Sequence, residues 1–166
     1  MFEKLDGVSK SILLWGVICL FGFGLFQFWG TATLETIFGV WIVLAAIGIG
    51  AMFKWVKNAW KDSIVKVWTV LIVLGLALTI YYWLGSVYAL QAHFGSTWLV
   101  VMGLGFAYTA WKTKSKVYWA AVGLHAVLLG LILSGVGFFS LYQTGLIGLV
   151  SGVPCIVDSL GLCSGK

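Results

Sequence analysis

Two histidines, three cysteines and five carboxylates are all the chain offers for metal, redox or acid–base chemistry. His125 is the one ionisable side chain inside a long apolar run, about eight residues from its start, or roughly 12 Å at the rise of a helix. Its functional reading is a haem, metal or quinone contact. Its structural reading is a neutral ring hydrogen-bonded to a neighbouring helix. His93 falls in the connection at the opposite end of the apolar layer, so a shared bis-histidine haem is not expected, and there is no Cys-x-x-Cys-His motif.

Cys155 and Cys163 form a disulfide candidate that would staple a short loop on an oxidising side. Two unpaired, buried thiols are the next reading. A redox-active pair needs an activated thiol, and the Cys-x-x-Cys spacing that favours one is missing. Cys19 sits within an apolar run and is expected to pack as a small apolar residue. Glu35 reads as an interfacial helix-start residue, and Asp62 as a solvated partner for nearby lysines.

Glycine is abundant, at 22 residues, yet no phosphate-binding loop is recognisable. Gly103-Leu104-Gly105 lies in an apolar run without the strand-turn-helix context of a nucleotide motif. Small residues recur at helical spacing instead: Ala126, Gly130 and Ser134 in one run, Ala46 and Gly50 in another. Such stripes let helices approach closely, within one chain or between subunits.

The elements carrying these residues are set by composition. The chain is 61% hydrophobic and 9% charged, with mean hydropathy +1.07. A soluble domain of this size carries about a quarter charged residues, so the outer surface here is apolar and lipid is the expected solvent. Five runs stand out, at 11–29, 36–53, 67–85, 96–111 and 117–139. Each is near the length of a membrane crossing. Backbone groups in lipid must be satisfied within the segment, which selects helix. The expected fold is an all-α polytopic membrane bundle of five helices.

All ten basic residues are lysine. Without arginine, bidentate capture of phosphate is disfavoured and no nucleic-acid partner is expected. Lys4 and Lys10 precede the first run, in a signal-anchor pattern. Lys54, Lys57, Lys61 and Lys66 separate the second and third runs, and Lys112, Lys114 and Lys116 the fourth and fifth. The two other connections, 30–35 and 86–95, contain none. Lysine-rich loops remain cytoplasmic, so the N-terminus is expected inside. Trp55, Trp60, Trp68, Trp111, Tyr118 and Trp119 on the lysine side, and Trp29, Tyr81, Tyr82, Trp83, Tyr88 and Trp98 on the other, are expected to anchor at the headgroups.

A weak repeat aligns Trp41 with Trp98, Gly48 with Gly105 and Lys57 with Lys114. It predicts two similar hairpins, helices two and three, then four and five. The segment 140–166 is apolar but broken by glycines, Pro154 and Asp158. It reads as an external cap or re-entrant segment, with a sixth crossing as the alternative.

The apolar runs hold no Asp, Glu or Lys at mid-depth, the usual mark of proton or ion coupling. The expected function is noncatalytic: a small accessory subunit or self-assembling component of a membrane complex. Its expected partners are lipids, other membrane subunits or further copies of itself. No cofactor is assigned. One alternative is a small channel, transporter or lipid carrier lined by Gln27, Thr69, Thr79, Tyr108, Thr109, His125 and Ser134. Another is a haem, quinone or thiol redox subunit.

Overall fold

Apolar runs of this length have one way to satisfy their backbone in lipid, and the described elements follow it. The computed structural model describes residues 5–28, 34–85 and 87–162. Among these there are seven α-helices and a 3-10 turn. The helices are α1 (Gly7–Phe28), α2 (Leu34–Trp55), α3 (Ser63–Gly85), α4 (Val87–Thr113), α5 (Lys116–Leu133), α6 (Gly137–Leu141) and α7 (Gln143–Ser159); the turn is Ala59–Lys61. Four stretches are long and apolar enough to cross a membrane: Gly7–Phe28, Phe38–Trp55, Ser63–Tyr82 and Lys116–Leu133.

Helix ends follow local chemistry. Asp6 caps α1, its carboxylate accepting the Ser9 N–H at 2.7 Å. After α2 the chain turns through Asn58 at φ 58°, and after α4 through Lys114 at φ 58°. Helix α5 was expected to reach residue 139. It stops at Leu133 because Gly135 takes φ 75°, its N–H donating to the Ile132 carbonyl. Helix α7 ends the same way at Gly161 (φ 67°). The Gly161 N–H donates to Asp158 and the Leu162 N–H to Val157, a Schellman pair.

Two further expectations change. The fourth helix begins at Val87, not near 96. Gln91, His93, Gly95 and Ser96 lower the hydropathy of its first turns, but none of them breaks a helix as proline would. The tail expected after 139 is largely helical. Pro154 lies inside α7, where its missing N–H does not end the helix.

The chain divides into two compact units, residues 1–62 with 144–166, and residues 63–143. In the first, α1 is flanked by α2 and α7. Helix α2 runs antiparallel to α1, with Gly22 against Trp41 and Gly48 against Trp15. Helix α7 also runs antiparallel to α1, with Gly148 against Phe23 and Gly152 against Gly16. In the second unit α4 is central. It packs antiparallel to α3 along one side and against α5 along the other.

Candidate functional site

The contacts within the α1–α2 and α3–α4 hairpins follow one rule, a tryptophan laid on a glycine. Trp15-x6-Gly22, Trp41-x6-Gly48, Trp68-x6-Gly75 and Trp98-x6-Gly105 repeat the same spacing, once in each of α1 to α4. Seven residues are two helical turns, so each pair lies on one face. In an antiparallel hairpin the pairs meet reciprocally. A Cβ at Gly105 would stand 2.5 Å from the Trp68 ring, and one at Gly75 3.0 Å from the Trp98 ring. A Cβ at Gly48 would stand 2.7 Å from Trp15, and one at Gly22 would collide with Trp41. The repeated hairpins are therefore α1–α2 and α3–α4. The expected grouping, helices two with three and four with five, is shifted by one helix. The alignment of Trp41 with Trp98 and Gly48 with Gly105 stands, but their packing partners are on the preceding helices.

The α3–α4 hairpin adds a polar clasp. Thr79 and Thr109 each follow their glycine by four residues. The Trp98 indole N–H donates to the Thr79 hydroxyl at 3.1 Å, and that hydroxyl donates to the Gly75 carbonyl at 2.8 Å. Trp68 donates to Thr109 at 2.9 Å, and Thr109 to the Gly105 carbonyl at 2.9 Å. Each hydroxyl accepts once and donates once, so no polar atom of the clasp enters lipid unsatisfied. In the α1–α2 hairpin Phe26 and Met52 stand at the threonine positions.

Trp98 and Tyr118 were expected at the headgroups and are buried. Trp68, half-buried, lies within the clasp. Trp60, Tyr81, Trp111 and Trp119 are exposed, as an anchor requires.

The polar residues named for the channel or carrier reading have these contacts. Thr69 donates to the Val65 carbonyl and Ser134 to the Leu131 carbonyl. Gln27 belongs to the other unit, where its side-chain oxygen accepts the Thr144 hydroxyl at 2.9 Å and the Gly145 N–H at 3.3 Å. The Tyr108 ring lies tilted against that of Trp111, ring centres 5.8 Å apart. His125 is 2% exposed; its Nδ1 lies 2.8 Å from the Ala121 carbonyl and its ring 5.2 Å from Phe106. The Ala121 carbonyl can only accept, so Nδ1 donates in this bond. The His93 and Glu35 side chains lie outside the described residues.

Cys19 and Cys155 are both buried where α1 meets α7. A Cβ at Gly16, one turn from Cys19, would stand 3.0 Å from the Cys155 Cβ. Cys163 lies outside the described residues, so the Cys155–Cys163 pairing does too. Here backbone nears backbone: a Cβ at Gly16 would stand 2.9 Å from the Gly152 carbonyl oxygen, and one at Gly152 2.7 Å from that of Gly16. Asp158 lies three residues beyond Cys155, on the last turn of α7.

The two small-residue stripes are not used in these contacts. Ala46 and Gly50 are exposed on α2, Ala126 and Gly130 on α5, and Ser134 at the C-cap of α5. A Cβ at Gly50 or Gly130 would meet nothing within 4 Å. No family model, curated protein or solved structure matches the chain.

Proposed function

We propose that this is a noncatalytic, multi-pass membrane protein that assembles with further copies of itself through its exposed small-residue faces. The single observation carrying this is the division of labour among small residues. Gly16, Gly22, Gly48, Gly75, Gly105 and Gly152 sit against neighbouring side chains or backbone. Gly50 and Gly130 sit in open stripes with Ala46, Ala126 and Ser134. A glycine facing lipid gains no packing, whereas a second helix backbone gains close van der Waals contact there. The α5 stripe covers three successive turns, enough for one helix–helix crossing. Other membrane subunits would compete for the same faces.

The proposed arrangement has six crossings, with both ends on the lysine-rich, cytoplasmic side. Helix α4 lies antiparallel along α3, so it crosses wherever α3 does. Helix α7 follows α1 from Gln27 to Gly16 and, at 17 residues, measures about 25 Å. That is near the hydrocarbon thickness, which favours a sixth crossing over an external cap. Cys163 would then lie in a reducing compartment, against the disulfide and thiol-redox readings.

The test is native-state mass measurement of the full chain in a mild detergent, across a dilution series. A defined multimer is expected. A monomer at every concentration, with no co-purifying subunit, overturns the proposal.

A further inference from the structure

Residues 63–143 contain four lysines and no carboxylate, so the positive charge of this unit has no acidic partner within its own chain segment. Three of the four lie in the α4–α5 corner, Lys112-Thr113-Lys114-Ser115-Lys116. All three are exposed. The lysine ammonium groups of Lys112 and Lys114 stand 5.7 Å and 5.9 Å from the centre of the Trp111 ring. Trp111 is 56% exposed, and Trp119, one turn into α5, is 50% exposed.

The turn itself is fixed. The Thr113 hydroxyl donates to the Thr109 carbonyl at 2.8 Å and accepts the Ser115 N–H at 3.3 Å. Lys114 holds φ 58°, in the left-handed region where a side chain with a Cβ is disfavoured. The α2–α3 corner has Asn58 at the same φ, a residue that tolerates it. Glycine would relieve Lys114 of this strain, yet a long cation stands there.

A corner joining two apolar helices sits at headgroup depth, where exposed tryptophan rings settle at the boundary and lysine ammonium groups reach phosphate. We propose that the α4–α5 corner is a binding surface for anionic phospholipid headgroups, with Lys112, Lys114 and Lys116 meeting the negative charge and Trp111 and Trp119 flanking it. This rests on the membrane-spanning reading above. The charge complementarity commits it to a lipid. A basic residue near an anionic surface strengthens attraction about fivefold.

The test is native mass spectrometry of the full chain titrated with phosphatidylglycerol or phosphatidylcholine. The native protein is expected to prefer phosphatidylglycerol. Lys112→Gln/Lys114→Gln/Lys116→Gln is expected to lose more than tenfold of that preference, and Lys114→Gly about fivefold, with helix content by circular dichroism unchanged. Lys54→Gln/Lys57→Gln/Lys61→Gln, beside Asp62, is expected to keep most of it. Equal binding of the two lipids, an unaltered preference in the first triple variant, or an equal loss in the second overturns the proposal. So does displacement of bound phosphatidylglycerol by equimolar free glycerol phosphate, which would point to a soluble anion. Absence of both lipids from the protein would instead count against the membrane reading itself.

Discussion

Trp68 lies flat across Gly105 and donates its indole N–H to Thr109, 2.9 Å away. Trp98 repeats the relationship with Gly75 and Thr79, from the opposite helix and at the opposite end of the hairpin. The same two turns of helix supply both the flat surface and the acceptor. The α3–α4 hairpin is thus specified by both shape and hydrogen bonding.

Thr109→Val keeps the shape of the side chain and removes the acceptor. Interhelical hydrogen bonds in membrane bundles average about 0.6 kcal/mol, so a loss of that order is expected in reversible unfolding from mixed micelles. In a double-mutant cycle with Trp68→Phe, the coupling should equal that loss. Strict additivity of the two single changes would show that the bond contributes nothing.

Gly105→Ala is expected to destabilise by about 1–3 kcal/mol, because the methyl would stand 2.5 Å from the Trp68 ring and one of the two must shift. Gly123→Ala faces open space on α5. It is expected to be neutral, or stabilising by up to about 1 kcal/mol through helix propensity. Similar effects at both positions would remove the lock from the account of stability.

The α1–α7 contact has its own native reporter. In a Cys163→Ser background, a short membrane-permeant bis-methanethiosulfonate, which forms a mixed disulfide with each thiol and releases methanesulfinate from each end, should join Cys19 to Cys155, and Gly152→Leu should abolish the product by pushing the helices apart. A reporter fused after Lys166 should read on the same side as one inserted at Asn58. Opposite sides would return the chain to an odd number of crossings.

Gly130→Leu tests the exposed stripe. Nothing lies within 4 Å of a Cβ at that position, so the unfolding midpoint of the isolated chain should move little. The proportion of multimer at a fixed concentration should fall several-fold. An unchanged assembly would show that the α5 face meets lipid alone.

Hydropathy finds where lipid is the solvent, and for α1, α2 and α3 that was enough to locate the helices to within about four residues, whereas α5 ends six residues before its apolar run does. It misplaced the start of α4, because Gln91, His93 and Ser96 lower the average without disturbing the backbone. It left α7 open, because Gly148, Gly152 and Pro154 resemble a broken helix until Gly16 is seen to fill the gap. The tryptophan–glycine spacing was present in the sequence at every one of its four sites. Aligning Trp41 with Trp98 captured half of it, and a search for tryptophan seven residues before glycine would have yielded Trp15 and Trp68 too. The burial of Trp98 was less accessible. An aromatic residue near the end of an apolar run has the same sequence signature whether it faces headgroups or a glycine across the hairpin.

The Gln27–Thr144 bond joins residues 117 positions apart. The α1–α2 and α3–α4 locks each close between neighbours in the chain, so each hairpin has its partner as soon as its second helix is synthesised. Helix α1 must instead wait for α7 before its second face is covered. A chain interrupted before Gln143 would carry both finished hairpins and still present the bare Gly16 groove, a surface on which membrane quality control could distinguish an incomplete protein from a finished one.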